Sequence, residues 1–363
     1  MRLLICLDGC DPAYLVAAPT PNLDAMAGDG FYKEVLSVIP SVTNVNNVSM
    51  VTGSFPSAHG ITSNFLRHSD GTETYMESQD FVLCPTILEK ARANGLKTAA
   101  ITSKLKLLNI IGRGADVAVS AEKPTADFVA VVGEPFPVYS MEINVWAFDA
   151  AHFILREQNP DLLYLSTTDY IMHTYAPEDE PAQLHLWKLD EILGRMLNEF
   201  PKLKVTVTAD HGMNQKSTGI DLEKVLRREG IHAKAIPIIK DKYIQHHFNQ
   251  GGAAYIHVET GAAIEAAEVL RQTEGIDEVC SRTEAAGKYR LRQERIGDLF
   301  VLGDRDTVFG TYNEPRRAVD VRSHGSCHER KVPLITNDPE ESPENYLYNV
   351  DAGANWSEYR TTI

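Results

Sequence analysis

Three short apolar runs that each stop at an aspartate constrain this chain more than any other feature. "RLLICLD" ends at Asp8, "DLLYLSTTD" ends at Asp169, and "KVTVTADHG" reaches Asp210 as its apolar character stops. Apolar runs without polar alternation suit strands buried on both faces, as in a parallel sheet. Helical patterns separate them. Pro21 opens one in "TPNLDAMAGDG", Gly95 stops one in "PTILEKARANG", and "AFDAAHFILREQNP" and "QLHLWKLDEILGRMLNEFP" follow, with "LKTAAITS" as a further strand. Strands alternating with helices predict an α/β fold with a doubly wound, mostly parallel sheet. Ligands gather at the carboxyl ends of strands in such sheets, so three acids at three strand ends define a candidate site.

The pattern changes between residues 221 and 320. "GAAYIHVE", "AAIEAAEVLRQTEG" and "IGDLFVLGD" read as strand, helix and strand with charged turns between them. This predicts an inserted, smaller α+β cap domain over 221–320, and a catalytic core over 1–220 and 321–363. The chain rejoins the core near "VDVRSHGSCHERKVPLI". The final "NYLYNVDAGANWSEYRTTI" reads as a polar, irregular arm packed on the core or on the second subunit of a homodimer.

Charge narrows the function classes. At a formal −15 over 363 residues, the chain lacks the basic footprint that nucleic acid or an anionic membrane surface requires. An anionic substrate is therefore expected only if the site carries its own positive charge. Five scattered cysteines (Cys6, Cys10, Cys84, Cys280, Cys327) form no CxxC pair, and no apolar run reaches the ~18 residues of a membrane span. A soluble protein in a reducing cytoplasm is the expectation.

The candidate ligands are carboxylates and imidazoles. "TTDYIMHTY" spaces Asp169 and His173 four apart, on one face if a helix starts there. "TADHGM" puts Asp210 beside His211 at a strand end, and "RSHGSCHE" adds His324 and His328. Each piece alone is weak, because an Asp-x-x-x-His pair is ordinarily solvated and a lone histidine ordinarily belongs to a loop or core. Their joint placement at strand ends, with Asp8, supplies enough donors for two metal ions. Nitrogen and carboxylate ligands without thiolate favour zinc, with manganese or iron as alternatives.

The order of Asp8, "PSVTNVNNVSMVTGSFPSAHGI", "DYIMH", "ADHGM" and "SHG" resembles the alkaline phosphatase superfamily, in its nucleotide pyrophosphatase/phosphodiesterase-like branch. The resemblance covers the core and weakens over the insertion. It implies that Asp169, His173 and His324 hold one zinc and that Asp8, Asp210 and His211 hold the other. Thr43 would lie at the second ion as nucleophile, and Asn64 would donate to a phosphoryl oxygen. Lys104 and Lys106, in "TSKLK", would hold a substrate carboxylate. The implied reaction is cleavage of the carbon–phosphorus bond of a small anionic phosphonate, phosphonoacetate, through a phosphothreonine. Cations beside the carboxylate would stabilise charge that grows there as carbon departs.

Rival readings remain at this level. "SVTNVNN" could be a polar turn with side-chain caps, and the two lysines could open a helix on a solvated surface. A phosphodiesterase or nucleotide pyrophosphatase would keep the metals and Thr43 but need an aromatic pocket for a base, for which only Phe65 and Tyr75 offer themselves. Another carboxylated phosphonate would keep the lysines. A metal-stabilised scaffold would need no nucleophile. The resemblance gives no role to Cys327, His328, His246 or His247.

Overall fold

The computed structural model describes residues 1–68, 70–240, 242 and 248–357. Its main sheet has seven strands, in the order Phe31–Leu36, Lys331–Thr336, Lys204–Thr208, Arg2–Cys6, Leu162–Ser166, Thr98–Thr102, Val117–Ser120. Arg2–Cys6 pairs in parallel with Leu162–Ser166 on one side and Lys204–Thr208 on the other. Only Lys331–Thr336 runs against its neighbours. The fold is α/β with a large, mostly parallel sheet, as the alternating pattern predicts.

Register places the site. Cys6 lies opposite both Ser166 and Thr208, so the three central strands end level with one another. Asp8, Asp169 and Asp210 therefore emerge together along one edge. Leu3, Leu4, Ile5, Leu163 and Val205 are fully buried, so their apolar runs are legible. The edge strand Phe31–Leu36 alternates between partly buried and exposed positions up to Glu34 and fully buries only Val35, and "FYKEVL" carries no such signal.

Two groups of helices cover the sheet. Pro21–Asp29, Glu142–Gln158 and Glu180–Glu199 pack together, and Thr43–Thr52, Ile87–Ala93, Leu105–Ile111 and Val350–Ser357 form the second group. The C-terminal stretch corrects the expectation of an irregular arm. Residues Val350–Ser357 are helical, and Ala352 and Trp356 are buried. A Cβ on Gly353 would stand 1.6 Å from the Met50 carbonyl oxygen. Only glycine lets the two backbones approach this closely.

A second, antiparallel sheet orders Ala233–Pro237, Ala253–Val258, Leu299–Gly303 and Ile276–Ser281. It encloses an apolar cluster of its own around Leu226, Ile256, Leu270 and Val301. Its first and last strands carry no apolar run that sequence reading could catch. A three-stranded sheet of Asn214–Ile220, Thr307–Phe309 and Arg316–Ser323 joins the two regions, and its last strand delivers His324 to the main sheet. Among the described residues, no helix is long and apolar enough to cross a membrane.

Candidate two-metal active site

The helix Thr43–Thr52 begins where Val42 leaves extended backbone, and no side chain caps its start. Such a start presents N–H groups and the positive end of the helix dipole. Its neighbours explain the polar run. The Asn46 amide donates to the carbonyls of Val38 (3.0 Å) and Pro40 (3.2 Å) and accepts from Val38 N (2.7 Å), pinning the approach loop. Asn47 donates to Asp210 Oδ2 (3.3 Å) and accepts from the Tyr164 hydroxyl (2.7 Å). Thr43 Oγ1 then lies 3.2 Å from His211 Nε2 and 3.5 Å from Asp8 Oδ1.

Two buried donor clusters meet there. Asp169, His173 and His324 form one, and Asp8, Asp210 and His211 form the other; the ligand atoms of each lie within 4.8 Å of one another. Asp169 and His173 share one helical turn, with His173 Nε2 2.9 Å from Asp169 Oδ2. His324 Nε2 is 3.6 Å from that oxygen, and its ring stacks on His211 at 3.5 Å between centroids. The stack sets the clusters side by side.

Each ring is oriented through its other nitrogen. His173 Nδ1 lies 2.7 Å from the Arg322 carbonyl, His324 Nδ1 2.8 Å from that of Ser41, and His211 Nδ1 2.9 Å from that of Gly212. A carbonyl only accepts, so each Nδ1 carries the proton and each Nε2 presents a lone pair. This is the arrangement that orients metal-binding histidines.

The electrostatics also ask for cations. Burial, then the charges of Asp169 and Asp210, push the Asp8 carboxyl well above its ordinary range, with Lys104 opposing. Burial, then His211 and His173, hold His324 well below its usual value, so the ring stays neutral. Asp8 Oδ2 is buried and makes no hydrogen bond. Buried carboxylates this close are costly unless positive charge joins them. The donor set therefore fits two divalent ions.

Lys104 precedes the helix Leu105–Ile111, and its Nζ lies 3.5 Å from Asp169 Oδ1. It is largely buried rather than solvated. Lys104, Lys106, Asn64, Thr43 and Asn44 line one pocket with Asp8, Asp169 and His324, and Val42, Leu107 and Ile239 form its apolar wall. Among the described residues, no Phe, Tyr or Trp lines it. The Phe65 and Tyr75 rings instead pack on each other at 4.9 Å, with Lys240 Nζ 3.6 Å from the Phe65 centroid. His328 pairs with Asp277 at 2.6 Å, and Cys327 Sγ lies 3.7 Å from the Tyr289 hydroxyl; neither lines the pocket. His246 and His247 lie outside the described residues.

Sequence reading misses the residues that hold the ligands. Thr167 Oγ1 accepts from Asp8 N at 2.8 Å, and Gly9 N donates to Asp210 Oδ1 at 3.1 Å. Ser41 Oγ donates to the Ser326 carbonyl (2.8 Å) while accepting from Gly325 N (3.1 Å). Ser326 in turn is fastened by Glu329, which pairs with Lys216 at 2.7 Å with both side chains fully buried. Burial alone would raise the Glu329 carboxyl, but Lys216, Asn214 and Ser326 bring it below its ordinary value. Glu329→Gln strands the Lys216 charge and is expected to cost about 3–5 kcal/mol in urea unfolding near neutral pH. Because the folded-state value is depressed, the pair's contribution is present above the ordinary glutamate range and lost as pH falls through the folded-state value. A cost under about 1 kcal/mol would show that Lys216 finds another partner.

Residues 2–327 match the family model for type I phosphodiesterase / nucleotide pyrophosphatase, and the chain belongs to that family, within the alkaline phosphatase superfamily. Among solved structures, phosphonoacetate hydrolase from Sinorhizobium meliloti 1021, in complex with phosphonoacetate, is 34% identical. Its TM-score is 0.89, covering 98% of this chain and 94% of that one. Murine ectonucleotide pyrophosphatase / phosphodiesterase 5 shares the fold, with a TM-score of 0.70 at 17% identity over 98% of this chain and 93% of its own. The bis(5'-adenosyl)-triphosphatase of Mus musculus is 27% identical over 244 residues, 62% of this chain and 50% of that protein. Venom phosphodiesterase of Macrovipera lebetinus is 24% identical over 228 residues, 59% of this chain and 26% of that protein. The chain thus spans half or less of these two curated relatives.

Proposed function

We propose that the protein is a two-zinc hydrolase that cleaves the carbon–phosphorus bond of phosphonoacetate, giving acetate and phosphate. The observation that carries this reading is one pocket in which Thr43 and members of both donor clusters, Asp8 on one side and Asp169 and His324 on the other, lie with Lys104 and Lys106. Asp169, His173 and His324 would hold one ion, and Asp8, Asp210 and His211 the other. When bound, such ions lower the cost of a threonine alkoxide and offset charge on phosphoryl oxygens.

The chain's own groups do the rest. Thr43 Oγ bonds to phosphorus as its proton leaves to water. The carbon–phosphorus bond breaks with its electron pair on the methylene carbon, and that charge spreads into the carboxylate beside Lys104 and Lys106. The carbon takes a proton to become acetate. Water then adds to phosphorus, breaks the phosphothreonine ester and restores the Thr43 hydroxyl. Asn64 donates to a phosphoryl oxygen throughout. In the same reading 221–320 is a cap over the core, because Ile239 from that stretch lines the pocket. Five free thiols favour a cytoplasmic setting.

The curated relatives favour a second reading, a phosphodiester substrate on the same metals. Phosphate release from phosphonoacetate by zinc-loaded protein, beside bis(4-nitrophenyl) phosphate cleavage, decides between them. Release from phosphonoacetate is expected to dominate. Diester cleavage alone would remove the phosphonate assignment and leave the metals and Thr43 in place.

A further inference from the structure

Three asparagines crowd the start of the nucleophile helix, and only two have work within the fold. Asn46 and Asn47 spend both ends of their amides on the approach loop, Asp210 and Tyr164. Asn44 lies between them and Thr43, is fully buried, and among the described residues neither its Oδ1 nor its Nδ2 makes a hydrogen bond. Leaving a buried amide without partners is costly, and native proteins rarely do so without a reason. Asn44 also lines the pocket shared by Thr43, Asn64 and the lysines. Here the helix start is uncapped, so both the backbone and the side chain withhold their donors from the protein.

We propose that Asn44 is a further substrate ligand, its Nδ2 donating to an oxygen on phosphorus. Shared lining selects the phosphoryl end: Asn44 opens on the same pocket as Thr43 and Asn64, the two residues assigned to the phosphoryl group. The inference rests on the Thr43 reading above. It deepens that reading by giving the phosphoryl group a second amide donor beside Asn64. A buried amide with no protein partner costs the folded state and repays that cost only when the anion arrives, so Asn44 also trades stability for affinity.

Asn44→Leu, near in volume and without polar atoms, separates the two roles. A ligand-binding amide can be replaced without loss of fold, whereas one that serves the fold cannot. The variant is expected to melt at or above the wild-type temperature. Calorimetry on zinc-loaded protein is expected to show inorganic phosphate binding about 10- to 100-fold more weakly, the loss of one hydrogen bond to a charged group. Phosphate affinity within about threefold of wild type would overturn the proposal, as would a melting temperature lowered by more than about 2 °C. Weakened phosphonoformate binding with unchanged phosphate binding would place Asn44 at the carboxylate instead and equally overturn it. Asn44→Asp is a second, independent test. It keeps the shape but turns a negative charge toward the anion, so phosphate binding must fall further still. Phosphate binding does not involve the leaving group. A wild-type protein that binds phosphate yet leaves phosphonoacetate intact therefore sinks the substrate assignment, and the Asn44 comparison is decided separately.

Discussion

Thr43→Ala is expected to lower phosphate release from phosphonoacetate by at least about 10³-fold, with both metal ions retained. The substitution removes the hydroxyl and the small γ-methyl and leaves the backbone free to stay helical. Its neighbours within hydrogen-bond reach are Asp8 Oδ1 and His211 Nε2, and both belong to a cluster completed by Asp210. Alanine is also well tolerated in the first turn of a helix. The fold and the ion count should therefore survive, and elemental analysis beside the kinetics checks that they do. Thr43→Ser keeps an oxygen nucleophile in place and is expected to keep much of the rate. An alanine variant within about tenfold of wild type, with its metals present, would mean that water attacks directly and that Thr43 merely lines the pocket.

Removing both Lys104 and Lys106 as alanines is expected to cost phosphonoacetate cleavage about 10²–10³-fold, and cleavage of an aryl diester no more than about tenfold. An aryloxide leaves without help, whereas the carbon leaving group depends on charge reaching a carboxylate between the ammonium groups. Lys104 also lies 3.5 Å from Asp169 Oδ1, so its loss could disturb the cluster as well as the carboxylate. Metal content separates these effects. Equal losses on both substrates with metals intact would assign the lysines to the phosphoryl group and return the leaving group to question.

The sheet and both donor clusters were legible for one physical reason. Strands buried on both faces must be apolar throughout, and a buried strand that ends in aspartate marks a charge held for a purpose. Asp8, Asp169 and Asp210 all carry that signature, and the one-turn spacing of Asp169 and His173 is local. His324 stood beside His328 as a candidate and the resemblance chose between them, and Thr43 was singled out from its polar neighbours the same way, since nothing beside either residue announces its partner. What stayed hidden depends on contacts distant in sequence. Asn44 and Asn47 are chemically identical; Asn47 is satisfied by Asp210 and Tyr164, more than 100 residues away, and Asn44 by nothing among the described residues. Lys216 and Glu329 read as ordinary surface charges until the fold buries them together. The edge strand Phe31–Leu36 failed for the opposite reason: being half exposed, it need not be apolar.

The stacked pair His211 and His324 has a consequence for how the molecule is made. Asp8, Asp210 and His211 all precede the second sheet in the chain, whereas His324 follows it. A ribosome that has just passed residue 211 has supplied every donor of one cluster but only Asp169 and His173 of the other. Domains generally fold as units, and at that point the main sheet still lacks Lys331–Thr336, the strand between Phe31–Leu36 and Lys204–Thr208. The last imidazole waits for more than a hundred further residues, until the strand Arg316–Ser323 brings it back against the His211 ring. The reactive centre therefore closes only after the intervening segment has been made.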